Sequence, residues 1–130
     1  MKEKKTVLII TDGAEETVRM AAEISAALKG NKVSVKSASD FLGNDILPAE
    51  AFFLGCKKPR PDSFAYLSDV LKHINLAGRP CGVFSPGSEK TANYLASLLK
   101  DCEAVLCREP LTNSGAETKG WTEKVLSGTF

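Results

Sequence analysis

Histidine is almost missing from this sequence. There is one, His73, beside four cysteines that form no C-x-x-C pair. That supply of ligands disfavours a zinc site, and no metal is expected. Net charge is also nearly missing, at +1 over 130 residues, so no global field recruits nucleic acid or a membrane surface. No long apolar run occurs. After the basic start MKEKK, only Thr6 to Ile10 lean apolar before Asp12, too short for a signal peptide or a membrane span. The expectation is a cytoplasmic chain. Repeats, low-complexity tracts and linkers are lacking as well, which leaves one domain, 1–130, large enough to bury a core. The motif G-x-S-x-G is absent, and His73 lies one helical turn after Asp69, as in a surface pair. Both points argue against a Ser-His-Asp hydrolase.

What is present is an ordinary globular mixture, 43% apolar and 25% charged. Cys56, Cys81, Cys102 and Cys107 read as small core residues in a reducing compartment. Cys56 stands apart because it follows Gly55 at a strand end.

Strand and helix patterns alternate along the chain. Apolar strands are expected at Lys5 to Thr11, Ala51 to Gly55, Cys81 to Ser85 and Ala104 to Arg108, with an alternating strand at Lys32 to Lys36. The first helix, Glu15 to Lys29, spaces Val18, Ala21, Ile24 and Leu28 for one face, and Gly30 is placed to cap it. An irregular crossover, SDFLGNDILPAE, leads to the third strand. The next helices carry Phe64, Leu67, Leu71 and Ile74, and then Leu95, Leu98, Leu99 and Cys102. A short last helix includes Trp121, Val125 and Leu126. Repeated βα units imply a parallel sheet with helices on both faces. Strands one, three and four are continuously apolar, as central strands are, whereas strand two alternates, as an edge strand can. The order 2-1-3-4-5 follows, because 3-2-1-4-5 would expose AFFLG on an edge. Ligands in such sheets sit at the carboxyl ends of the strands. That selects the loops Thr11 to Thr17, Gly55 to Ser63 and Ser85 to Thr91, and the chain from Glu109 onward.

These segments resemble the flavodoxins, in particular short-chain ones, over nearly the whole length. The match runs through VLIITDGAEETVRMAAEI, AFFLGC, LAGRPCGVFSPGSEKT and AVLCREPL. The resemblance implies a three-layer α/β sandwich with a five-stranded parallel sheet, flavin mononucleotide (FMN) as cofactor, and electron transport, with a redox or docking partner protein. Family phosphate loops are similar to T/S-x-T-G-x-T. Thr17, followed by Ala21, matches the closing threonine. The family glycine falls on Glu15 and the preceding hydroxyl on Ala14, so Thr11, Asp12 and Gly13 are the loop's remaining polar contacts. Glu15 and Glu16 stand where a phosphate would bind. A carboxylate close to a phosphate repels it more strongly than a helix N-terminus attracts it. Either the two glutamates merely complement the helix dipole, with Thr11 or Asp12 as partial cap, or they turn outward from a working phosphate site.

The second loop, GCKKPRPDSF, has no aromatic residue between Gly55 and Ser63, where flavodoxins commonly set a ring against the flavin. Cys56 would either lie near the flavin ring or simply pack, and Lys57, Lys58 and Arg60 make the loop basic instead, which on a bound flavin would favour added negative charge. Without a flavin it is a docking patch or a solvated loop stiffened by Pro59 and Pro61. In the third loop Ser85, Pro86, Gly87 and Ser88 are candidates to present backbone amides to a ring edge or an anion. Tyr94 belongs inside the fourth helix, and Trp121 pins the last one. Other users of this fold are disfavoured. A receiver domain wants an aspartate where Gly55-Cys56 stand and a lysine where Glu109 precedes Pro110. A low-molecular-weight phosphatase wants Cys-x5-Arg after strand one. An independent enzyme is not expected. Two readings stay open: an FMN-binding electron carrier, and a flavin-free module that docks a partner through the same edge.

Overall fold

The computed structural model describes residues 4–113 and 115–128. Strands β1 (Thr6–Thr11), β2 (Lys32–Ser37), β3 (Ala51–Gly55), β4 (Pro80–Phe84) and β5 (Val105–Leu106) alternate with helices α1 (Glu15–Ala27), α2 (Gly43–Ile46), α3 (Ala65–His73), α4 (Glu89–Leu98) and α5 (Thr118–Ser127). The strands form one parallel sheet in the order β2-β1-β3-β4-β5, as the apolar texture of the strands requires.

Side chains on a strand alternate between faces, and here both faces are buried. Leu8, Ile10, Phe52, Leu54, Cys81 and Val83 point to one side, where Leu67 and Leu71 of α3 and Leu95 of α4 cover them. Val7, Ile9, Phe53 and Phe84 point to the other, against Ile24 of α1 and Trp121 and Val125 of α5. Complete burial of so many branched and aromatic side chains is the main source of stability.

The α1 face differs from expectation at one position. Val18 is 43% exposed, and Met20 is buried beside Thr17, Ala21 and Ile24. Two turns of spacing at three and four residues select either set, and contact with β1 selects this one. Three boundaries also move. α1 ends at Ala27 with Leu28 as its cap, and Gly30 takes its positive φ of 98° in the turn beyond. The crossover contains the single helical turn α2. β5 shrinks to two residues, because only Val105 and Leu106 find partners, opposite Pro80 and Cys81. β2 is an edge strand with Val35 exposed, and Lys32 and Lys36 discourage edge-to-edge pairing.

Two glycines in central strands make room for aromatic rings. Gly55 lies opposite Phe84 in the β3–β4 register, and a Cβ on it would lie 2.2 Å from the Phe84 ring. Gly82 lies opposite Phe53, and a Cβ there would lie 2.8 Å from the Trp121 ring. The Trp121 and Phe53 centroids are 5.5 Å apart at a tilt of 57°, a favourable aromatic geometry. Trp121 Nε1 also donates to the carbonyl of Glu109 at 2.7 Å. The last helix is thereby pinned to the loop that follows β5.

Candidate functional site

The carboxyl ends of β1, β3 and β4 bring the predicted loops to one edge. β1 leads through Asp12, Gly13 and Ala14 into α1. Gly13 takes a φ of 82°, a turn conformation that glycine adopts without strain. Thr11 Oγ1 accepts from the Gly13 amide at 3.2 Å, and Asp12 Oδ1 accepts from the Ala14 amide at 3.0 Å. The caps expected from Thr11 and Asp12 therefore satisfy the loop and not the helix. The N-cap is Ala14, whose side chain has nothing to offer. As a result the amides of Glu15, Glu16 and Thr17 find no acceptor among the described residues. A helix start with open amides is an anion-binding arrangement.

The glutamates are turned to partners. Glu15 meets Arg19 at 3.4 Å, one turn along the helix. Glu16 Oε1 lies 2.8 Å from Lys57 Nζ on the loop after β3. The hydrogen bond and charge of Lys57 hold the Glu16 carboxyl below its usual range, and Glu16 in turn raises the ammonium of Lys57. Both side chains are about half exposed, so the pair adds little to stability. It does cancel one of the charges that would repel a phosphate.

Three buried hydroxyls have no hydrogen-bond partner among the described residues: Thr17 Oγ1, Ser85 Oγ and Thr122 Oγ1. Thr17 and Ser85 both belong to the candidate edge. A buried hydroxyl without a partner is costly, and such groups in native folds call for an explanation.

The loop after β3 is tied down at its first residue. The Lys57 amide donates to Asp12 Oδ2 at 2.8 Å, and its carbonyl accepts from Thr91 Oγ1 at 3.3 Å. Lys58, Pro59 and Arg60 are exposed, and Arg60 holds a φ of 54°. Cys56 is fully buried in the core beside this loop. Burial, with the nearby charge of Asp12, pushes its thiol up to about 12, so it stays protonated and inert at neutral pH.

The loop after β4 corrects an expectation. Ser85, Pro86, Gly87 and Ser88 do not offer a row of free amides. The Ser85 amide donates to Leu111 at 2.9 Å, and that of Gly87 donates to Thr112 at 2.7 Å. Proline has no amide hydrogen to give. Ser88 Oγ accepts from Thr91 N at 3.1 Å and caps α4. The cause is the chain after β5, which returns beside β4 as one more parallel bridge, Phe84 to Leu111.

Between these loops lies a cavity of about 280 Å³, lined by Glu16, Arg19, Met20, Pro86, Gly87, Thr112 and Asn113. Glu16, Pro86 and Gly87 were sequence candidates. Thr112 and Asn113 lie in the chain from Glu109 onward but were not singled out there, and Arg19 was not expected. Arg19 carried only the signal of an i,i+4 partner to Glu15, and the other two lie in the return segment that no strand pattern marks. A larger cavity of about 1270 Å³ between α1 and α5 reaches Lys5 and Asn31 at the starts of β1 and β2, away from this edge. Among the described residues no three His, Cys, Asp or Glu side chains converge to hold a metal. No helix there is long and apolar enough to cross a membrane.

Scans against protein-family models and curated proteins returned no match. Solved structures did. A short-chain flavodoxin associated with a non-canonical PDU bacterial microcompartment superposes with a TM-score of 0.79 at 16% identity, covering 95% of each chain. Oxidised flavodoxin 2 from Bacillus cereus gives 0.77 at 18% identity, covering 96% of this chain and 99% of its own. A Fusobacterium nucleatum flavodoxin mutant bound to flavin mononucleotide gives 0.68 at 15% identity, covering 85% and 75%. With its strand order, its two helical layers and superpositions that cover 95%, 96% and 85% of its length, this chain has a flavodoxin-like α/β fold.

Proposed function

We propose that the protein binds FMN at the carboxyl edge of its sheet and serves as an electron carrier. The observation that carries this reading is the start of α1. Three amides there lack acceptors, and the third belongs to Thr17, whose buried hydroxyl also lacks a partner. A phosphate supplies acceptors for all of these groups at once. The residues fit at this end because Glu15 is paired with Arg19 and the partner of Glu16, Lys57, brings a cation to the helix start. Glu15, Glu16 and Thr17 would hold the phosphate through their amides, with Gly13 giving the loop its turn. Pro86, Gly87 and Thr112 border the adjoining cavity. When bound, the flavin supplies the redox chemistry, and the protein supplies binding and electrostatics. Lys58 and Arg60, which make no ion pair among the described residues, would favour negative charge on the ring. The setting is cytoplasmic, and the exposed basic loop would also meet a redox partner of opposite charge.

A second reading has its own observation. The Ser85 and Gly87 amides are spent within the fold, and the loop after β3 has no aromatic residue. A flavin-free module that docks a partner protein through this edge is consistent with both.

Titration with FMN separates the two. Wild type is expected to quench flavin fluorescence saturably. Thr17→Val keeps the shape of the side chain and removes the hydroxyl. It is expected to weaken binding about tenfold, while stabilising the flavin-free protein by about 1 kcal/mol through loss of an unpaired buried group. Wild-type protein that leaves the fluorescence unchanged would leave the docking reading standing.

A further inference from the structure

We propose that Lys57 is the countercharge of the phosphate site, and that its ion pair with Glu16 is a latch which an incoming phosphate opens. This rests on the FMN reading above and assigns it a residue from outside the loop that begins α1. Three contacts fix Lys57 to three elements. Its amide is held by Asp12 before α1, its carbonyl by Thr91 in the first turn of α4, and its ammonium by Glu16 in the first turn of α1. The backbone is thus anchored while the ammonium stays half exposed on a flexible stem.

The charges around it leave one exchange open. Glu15 is matched by Arg19, and Asp12 is occupied by two amides. Asp12 adds a second negative charge near Lys57, but of the carboxylates only Glu16 forms an ion pair with it among the described residues, and Glu16 also carries one of the open amides of α1. A phosphate dianion at those amides lies within the reach of the same ammonium and outcompetes a single carboxylate for it. Lys57 then passes from Glu16 to the phosphate, and the carboxylate swings into solvent. A loop whose acidic residues would otherwise repel the ligand is thereby made to accept it. Riboflavin has no phosphate and cannot open the latch, so the pair selects the phosphorylated flavin.

The test is calorimetric titration of wild type, Lys57→Gln and Glu16→Gln with FMN and, separately, riboflavin, at low ionic strength. Urea midpoints of the three proteins would verify that the exposed substitutions leave the fold intact. Lys57→Gln is expected to weaken FMN binding about tenfold, and Glu16→Gln to tighten it severalfold. Riboflavin affinity should be the same in all three. Unchanged FMN affinity in Lys57→Gln, or an equal loss for riboflavin, would overturn the latch and leave the flavin site intact. Wild-type protein that binds neither flavin would overturn the FMN reading and the latch together.

Discussion

Trp121→Ala is expected to lose about 3–5 kcal/mol of stability in urea unfolding, the cost of a large aromatic removed from a core. The ring does three things at once. It fills the space above Gly82, packs at 5.5 Å on Phe53, and donates to the Glu109 carbonyl. Alanine leaves a cavity over the β3–β4 pair and takes from the Glu109 carbonyl, in the loop after β5, its stronger donor, leaving the weak Cys107 thiol contact at 3.7 Å. That loop leads to Leu111 and Thr112, which hold the Ser85 and Gly87 amides. The same substitution is therefore expected to loosen the edge where the site lies, seen as faster amide exchange at Ser85 and Gly87. A loss below about 1 kcal/mol would mean that α5 is not pinned through this ring.

Gly55→Ala is expected to cost about 3 kcal/mol, the upper part of the range for overpacking a dense core. The added methyl would fall 2.2 Å from the Phe84 ring, and Phe84 is fully buried in the core. Relief requires the β3 and β4 strands to move apart at their carboxyl ends, where Cys56 and Ser85 begin the two loops of the site. The double substitution Gly55→Ala with Phe84→Leu should recover part of the loss, since the ring is the obstacle. If the double variant is no more stable than Gly55→Ala, backbone strain and not the ring sets the cost.

The strand order was readable because it rests on local composition. AFFLG and VLIIT are buried on both faces and must be central, while KVSVK need not be. The acidic first turn of α1 was equally plain, since Glu15 and Glu16 are adjacent in sequence. What the turn does was not readable. Whether Glu16 repels a phosphate or is neutralised depends on Lys57, 41 positions away, and only the β1–β3 pairing brings the two together. The amides of Ser85 and Gly87 were misjudged for the same reason. Their acceptors, Leu111 and Thr112, lie in a segment with no strand periodicity of its own. Val18 and Met20 show the local limit: helical spacing narrows the buried face to a stripe, and the sheet beneath chooses its exact angle. Gly55 and Gly82 gave no warning either, because a glycine's neighbour across the sheet is set by register alone.

The fold directs attention to one edge, and the open amides of α1 direct it to one phosphate-sized position on that edge. The direct measurement is two-dimensional nitrogen–proton NMR of the wild-type protein during addition of FMN. The largest shifts are expected at the amides of Glu15, Glu16 and Thr17, with smaller ones at Lys57 and Gly87, saturating together. Inorganic phosphate should move the first three in the same direction at higher concentration. Spectra in which these three amides stay unmoved while FMN binds elsewhere, or in which nothing moves at millimolar FMN, would contradict a phosphate site at this helix start.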